Sequence, residues 1–136
     1  MIRVLLAESH SNLRTALLEY LIDGGTVACS TVDTPEKVWS RLRHEQWDIL
    51  ILDIRLPGQT KLESVRALHE AYPKLPILVI SFAKDMAPRH WQDAGASGFL
   101  CKANLSAELS EAVGHVSGGG KYFSQDDGEE GREEKK

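Results

Sequence analysis

The chain has 136 residues, of which 42% are hydrophobic and 26% charged, an ordinary composition for one soluble globular domain with a single core. No apolar run approaches the ~20 residues that a membrane span requires, and the N-terminus lacks the cleavage site of a signal peptide. The net charge of −4 is concentrated in residues 125–136, which hold six acids and three bases. The remaining body, with 14 acids and 13 bases, has no basic stripe of the kind that binds nucleic acid.

Apolar segments alternate with amphipathic segments five times along the chain. We predict strands over Ile2–Ala7, Val27–Val32, Ile49–Asp53, Ile77–Phe82 and Gly98–Cys101. Several of these segments are continuous aliphatic runs, which are typical of parallel strands covered by helices on both faces. The pattern therefore predicts a parallel sheet between two helical layers.

A helical pattern follows each predicted strand. The helices carry the following start and end signals: Asp23-Gly24-Gly25 ends the first, Thr34-Pro35 opens the second, Thr60 and Glu63 open the third, Pro88–Ala94 is a short fourth, and the fifth runs from Ser106 to Gly118. This alternation predicts a doubly wound α/β sandwich, with a ligand site beyond the carboxyl ends of its strands. Residues 125–136 have no apolar period, so we expect a disordered charged tail after a domain spanning residues 1–124.

Polar residues follow four of the predicted strands. Glu8 and Ser9 follow the first, Asp53 ends the third, Ser81 closes the fourth, and Lys102 follows the fifth. Carboxylate oxygens suit a hard cation such as Mg²⁺, which also binds phosphoryl oxygens. A hydroxyl and an ammonium can bind the remaining oxygens of a tetrahedral anion. The strand ends therefore predict a site for phosphoryl transfer, which needs mainly positioning and charge from the protein.

In the segments MIRVLLAESH, DILILDIRLPG, ILVIS and AGASGFLCK, the sequence resembles the receiver domains of two-component response regulators, over residues 1 to about 124. The resemblance implies a flavodoxin-like (βα)5 three-layer sandwich with a five-stranded parallel sheet in the order 2-1-3-4-5. It also implies that Asp53 accepts a phosphoryl group from the phosphohistidine of a sensor histidine kinase, with Ser81 and Lys102 contacting that group.

The same resemblance implies a Mg²⁺ site formed by Glu8, Asp53 and the backbone carbonyl of Arg55, and an aromatic switch at Phe99. The sequence departs from the family pattern at Ser9, which stands where receivers carry a second acid. Because a neutral hydroxyl is a poorer ligand for a hard cation than a carboxylate, we expect weakened Mg²⁺ binding, with Ser9 a doubtful ligand.

Further departures surround the predicted site. Phe82 stands where receivers often have a small residue, and Phe99 has no phenolic hydroxyl. Lys61 replaces a common glycine, and Ala103 replaces a common proline after Lys102. Each of these changes is tolerable alone, and together they weaken the expectation that Asp53 is phosphorylated.

The favoured hypothesis is a cytoplasmic phosphorylatable switch that changes its affinity for a partner or for a second copy. It is not a metabolic enzyme, since its only chemistry is its own phosphoryl acceptance and hydrolysis. The segment VSGGGKYFS resembles the end of receivers that precede a helix-turn-helix domain. We expect either a stand-alone receiver or a domain of a longer transcription factor, which would contact DNA only through an effector absent from this chain. Two alternatives stay open: a degenerate receiver that binds partners without phosphorylation, and a flavin-binding electron carrier, which the glycine-free loop after Glu8 disfavours.

Other chemistry-bearing residues give weaker signals. The five histidines show no i, i+4 pairing, which favours surface or half-buried roles over metal binding. Cys29 and Cys101 lie in apolar strands, as expected for buried reduced thiols of a cytosolic protein. Trp91, on the short fourth helix, is a candidate for a partner-binding surface.

Overall fold

The computed structural model describes residues 1–22, 27–58, 61–81 and 87–124, in which six strands and five helices alternate. The strands are β1 (Ile2–Ala7), β2 (Val27–Val32), β3 (Ile49–Asp53), β4 (Ile77–Ser81), β5 (Gly98–Cys101) and β6 (Tyr122–Phe123). The helices are α1 (Ser11–Ile22), α2 (Pro35–His44), α3 (Lys61–Ala71), α4 (Pro88–Ala94) and α5 (Leu105–Ser117), with a 3-10 turn over Lys102–Asn104. The predicted end of α1 at residues 23–25, the cap at Thr60, Phe82 and the tail at residues 125–136 lie outside the described residues.

All strands are parallel, and their order is β2-β1-β3-β4-β5-β6. The predicted doubly wound sheet with the order 2-1-3-4-5 is therefore confirmed. A sixth strand extends it, because Gly119 at φ +100° turns the chain after α5 back along β5. The hydroxyl of Tyr122 donates to Glu108 Oε1 at 2.9 Å, which ties β6 to α5.

Helices cover the sheet on both faces. Leu17 and Leu21 of α1 pack with Leu109 and Val113 of α5 against one face of the sheet. The opposite face is covered by α2, α3 and α4, whose buried side chains are Val38, Leu42, Val65, Leu68, Trp91 and Ala94. Every residue of β3, β4 and β5 is buried, which explains the aliphatic runs of β3 and β4. In the described part of the chain, no helix combines the length and the apolar character needed to cross a bilayer.

Capping residues explain where α2 begins and where α4 ends. The Thr34 side chain accepts a hydrogen bond from the Lys37 amide at 3.2 Å, and Pro35 occupies the first position of α2, as predicted. Helix α4 ends at Ala94 and is capped by Gly95, which adopts the left-handed conformation at φ +113°.

Two of the weaker expectations need revision. Trp91 is fully buried on the inner face of α4, so the prediction that it forms a partner surface is wrong. Its large apolar ring fills the layer between the sheet and α4, as tryptophan does in most cores.

Both cysteines are free, but only Cys101 is fully buried. Cys29 is half-buried, and burial raises the pKa of its thiol to about 11.

The close approach of α3 and α4 makes Gly95 sensitive to substitution. A methyl group at this residue would lie 2.5 Å from Cγ of His69, and φ is +113°. We expect Gly95→Ala to lower the free energy of unfolding by about 2 kcal/mol, because both strain and a clash oppose it. Gly114→Ala, in an exposed part of α5 where a methyl group meets no atom within 4 Å, should instead raise stability by about 0.5–1 kcal/mol. Urea denaturation of both variants measures the contrast, and equal effects would contradict this explanation.

Candidate functional site

The register of the central strands places two carboxylates side by side. Ala7 of β1 pairs with Leu52 of β3, so Glu8 and Asp53 follow at the same level of the sheet. Both side chains are fully buried. Two acids thus occupy the edge at which parallel sheets bind ligands.

The neighbouring strands bring a hydroxyl and an ammonium to the same edge. Ser81, at the end of β4, is fully buried and pairs with Cys101 of β5. Lys102 follows directly, and its Nζ lies 2.9 Å from Oδ2 of Asp53. Four of the residues predicted from the strand ends therefore lie at one edge of the sheet.

The carboxylate of Asp53 is held through both oxygens. Its Oδ1 accepts a hydrogen bond from the Arg55 amide at 2.9 Å, and its Oδ2 accepts one from Lys102. The side chains of Lys102 and Asp53 are 8% and 1% exposed, so little water screens their ion pair. A carboxylate fixed in this way has a defined direction toward an incoming electrophile.

Glu8 reaches inward from the end of β1. Its Oε2 accepts a hydrogen bond from the His10 amide at 3.1 Å, whereas its buried Oε1 has no hydrogen-bond partner among the described residues. Burial raises the pKa of Glu8 to about 7, and the neighbouring Asp53 carboxylate acts in the same direction. The His10 amide and the Lys102 ammonium oppose that rise.

His10 is a member of the cluster that sequence reasoning missed. Its Nδ1 lies 3.5 Å from Oε2 of Glu8, and ligand atoms of Glu8, His10 and Asp53 all lie within 4.8 Å of one another. The search for paired histidines along one helix could not find it, because its neighbours come from β1 and β3. Its position two residues after Glu8 was the available signal.

The remaining predicted site residues lie near the cluster or beneath it. Ser9 is half-buried beside Glu8, and Arg55 is exposed with its amide turned to Asp53. Phe99 is fully buried in β5 on the side of α3 and α4. The roles of Ser9 and the Arg55 carbonyl as ligands, and of Phe99 as a switch, stay predictions.

The donor atoms fit a divalent cation. Oxygens of Glu8 and Asp53 are the hard ligands that Mg²⁺ prefers, and Oε1 of Glu8 offers a buried lone pair without a hydrogen-bond donor in the described chain. A bound cation would offset the cost of burying two carboxylates beside one ammonium.

The fold and the site together define an α/β domain with an acidic centre at the carboxyl edge of its sheet. The family model of the response regulator receiver domain matches residues 4–114. This chain belongs to that family, which confirms the resemblance noted in the sequence.

Curated relatives place the domain within longer proteins. The response regulator GacA of Pseudomonas viridiflava is 29% identical over 126 residues, covering 91% of this chain and 59% of GacA. The transcriptional activator protein ExaE of Pseudomonas putida is 32% identical over 124 residues, covering 90% of this chain and 58% of ExaE. The chain thus spans less than two thirds of the length of these relatives.

Solved structures agree with the fold. The isolated REC domain of RcsB from Salmonella enterica serovar Typhimurium, in its apo form, matches with a TM-score of 0.83 at 16% identity, covering 100% of both chains. A LuxR-family two-component response regulator from Aurantimonas sp. SI85-9A1 gives a TM-score of 0.83 at 23% identity, covering 98% of this chain and 96% of that one. At these identities the likeness concerns the fold alone.

Proposed function

We propose that this chain is a phosphorylatable switch in which Asp53 accepts a phosphoryl group from the phosphohistidine of a sensor histidine kinase. The 2.9 Å contact between Lys102 and the Asp53 carboxylate, buried at the ligand-binding edge of the sheet, is the observation that carries the proposal. A lysine so placed can move from the carboxylate to the phosphoryl oxygens as negative charge accumulates there.

The transfer needs little covalent help beyond these contacts. One oxygen of Asp53 attacks phosphorus, a P–O bond forms as the P–N bond of phosphohistidine breaks, and the kinase imidazole leaves with the electron pair. Ser81 donates a hydrogen bond to a phosphoryl oxygen, and the Arg55 amide keeps the carboxylate oriented. A divalent cation held by Glu8 and Asp53, and by the Arg55 carbonyl, would supply further neutralisation of the phosphoryl charge.

The output is a change of binding rather than turnover of a metabolite. Phosphorylation adds charge at Asp53 and gives Lys102 a new partner, which shifts an equilibrium between two conformations. The shift changes the affinity for a partner or for a second copy of the chain in the cytoplasm. Because relatives include a protein named as a transcriptional activator, we extend the proposal to transcription, with DNA contacted by a domain outside this chain.

The test is modification by a small phosphodonor. In one sample the full chain is incubated with acetyl phosphate and Mg²⁺, and its intact mass is measured. In a second sample beryllofluoride and Mg²⁺ are added, and the ¹⁹F spectrum is recorded. We expect one phosphoryl group per chain and a bound-fluoride signal, both absent in Asp53→Asn. Asp93→Asn, which removes an exposed carboxylate from α4, is the matched control and should behave like the wild type.

The same experiment separates this proposal from the degenerate receiver suggested by Ser9. The protein could have the circular dichroism of the folded state and yet show neither modification nor a fluoride signal with any divalent cation. That result would leave only the degenerate receiver, which binds partners without phosphorylation. Modification that persists in Asp53→Asn would place the acceptor elsewhere and overturn the proposal.

A further inference from the structure

The cluster of Glu8, His10 and Asp53 combines two oxygen donors with one nitrogen donor. Glu8 and Asp53 are buried, whereas the His10 side chain is 75% exposed at the mouth of the site. The three ligand atoms lie within 4.8 Å of one another, although they come from the ends of two strands and the loop before α1. An exposed imidazole can adjust its rotamer toward an ion held by the two fixed carboxylates.

The separations suit a single small ion. A metal with ligands at ~2.0–2.2 Å holds tetrahedral ligand atoms about 3.3–3.6 Å apart. The distance of 3.5 Å between His10 Nδ1 and Glu8 Oε2 lies in that interval before any metal binds. The ligand atoms of all three residues lie within 4.8 Å of one another, so small side-chain movements would bring them to one ion.

An independent observation points to a cation at this place. Oε1 of Glu8 is buried and accepts no hydrogen bond from the residues that the structure describes. A buried acceptor without a hydrogen-bond donor costs free energy, and a coordinated ion removes that cost.

The donor set also indicates which ion. Mg²⁺ demands oxygen ligands, whereas imidazole nitrogen suits borderline first-row ions such as Zn²⁺, Ni²⁺ and Co²⁺. We propose that Glu8, His10 and Asp53 form a site that binds a borderline divalent ion through the His10 imidazole more tightly than it binds Mg²⁺. The inference concerns the site of the proposed function, but it does not depend on phosphoryl transfer.

The test is a direct titration without a phosphodonor. The full chain, stripped with EDTA, is titrated with Zn²⁺ and Mg²⁺ by calorimetry and with Co²⁺ by visible absorption. We expect Zn²⁺ to bind about tenfold or more tightly than Mg²⁺, and His10→Gln to lower the Zn²⁺ affinity about tenfold or more while leaving the Mg²⁺ affinity unchanged. The Co²⁺ spectrum of the wild type should lose its nitrogen-ligand character in His10→Gln.

Two further variants keep the result interpretable. His90→Gln, an exposed histidine on α4, should leave all three titrations unchanged. His10→Asp replaces the nitrogen donor with an oxygen donor and should raise the Mg²⁺ affinity while lowering that for Zn²⁺. Equal Zn²⁺ affinities for the wild type and His10→Gln, or an equal loss in His90→Gln, would overturn the inference. Failure of phosphorylation together with retained His10-dependent Zn²⁺ binding would refute the proposed function alone.

Discussion

Replacing Lys102 by methionine should lower the free energy of unfolding by about 3 kcal/mol in EDTA, the largest effect that we expect from a single site residue. The substitution keeps most of the side-chain volume but leaves the buried carboxylates of Asp53 and Glu8 without a neighbouring ammonium. Urea denaturation measures the loss. The double variant Lys102→Met with Asp53→Asn should recover most of the stability, because it also removes the Asp53 charge with which Lys102 is paired.

Lys37 provides a matched comparison. Its Nζ lies 3.0 Å from Oδ1 of Asp33, a distance close to that of the buried pair, but the two side chains are 61% and 46% exposed. Lys37→Met should therefore leave the unfolding curve unchanged, since water and salt screen exposed pairs. Equal losses for Lys102→Met and Lys37→Met would show that burial of the Asp53 pair contributes nothing.

Replacing Glu8 by glutamine should stabilise the metal-free protein at pH 8 by about 1–2 kcal/mol, after allowance for screening by Lys102 and water, and should have almost no effect at about pH 4. In the folded chain the pKa of Glu8 is about 7, against an ordinary value of 4.5. Between these values the folded state holds the proton more tightly than the unfolded state does. Stability therefore falls as the pH rises from about 4.5 through 7, and glutamine, which mimics the protonated acid, abolishes that fall.

Denaturation at several pH values in EDTA measures the effect, and Glu45 offers a control of opposite sign. The side chains of Arg41 and Arg3 contact Glu45 and lower its pKa, so Glu45→Gln should not stabilise the protein at pH 8. Saturating Zn²⁺ should reverse the advantage of Glu8→Gln, because the ion binds the chain that retains all three ligands more tightly. A pH-independent difference between Glu8→Gln and the wild type would contradict the explanation.

Most of the sheet could be predicted because fully buried parallel strands have a distinctive composition. The aliphatic runs of β3 and β4 begin at the predicted residues, and the helices α2 and α4 begin at the predicted prolines. The two residues of β6 are too few to produce a period, and their pairing depends on the turn at Gly119. The burial of Trp91 could not be predicted, because a short helix gives too few positions to distinguish its buried face from its exposed face.

The site was predictable to the extent that it follows from strand ends. In a parallel sheet the last residue of each strand reaches one edge, so Asp53, Ser81 and Lys102 could be grouped without coordinates. The inward reach of Glu8 and the approach of His10 depend on the rotamers and the loop path, which no local pattern encodes. The state of charge of Glu8 depends in turn on that burial.

The sixth strand has a consequence for how molecules of this protein meet one another. The amide of Ser124 donates to the Phe99 carbonyl at 2.9 Å, and Tyr122 and Phe123 pair with Gly98 and Phe99, so the first half of the free edge of β5 is covered. Exposed strand edges are templates for pairing with other chains, and proteins commonly blunt them with very short strands. An edge only two residues long, which follows the turn at residues 118–121, offers an incoming strand little to extend. Strand β6 thereby shortens the free edge on the β5 side of the sheet, whereas β2 forms the opposite edge.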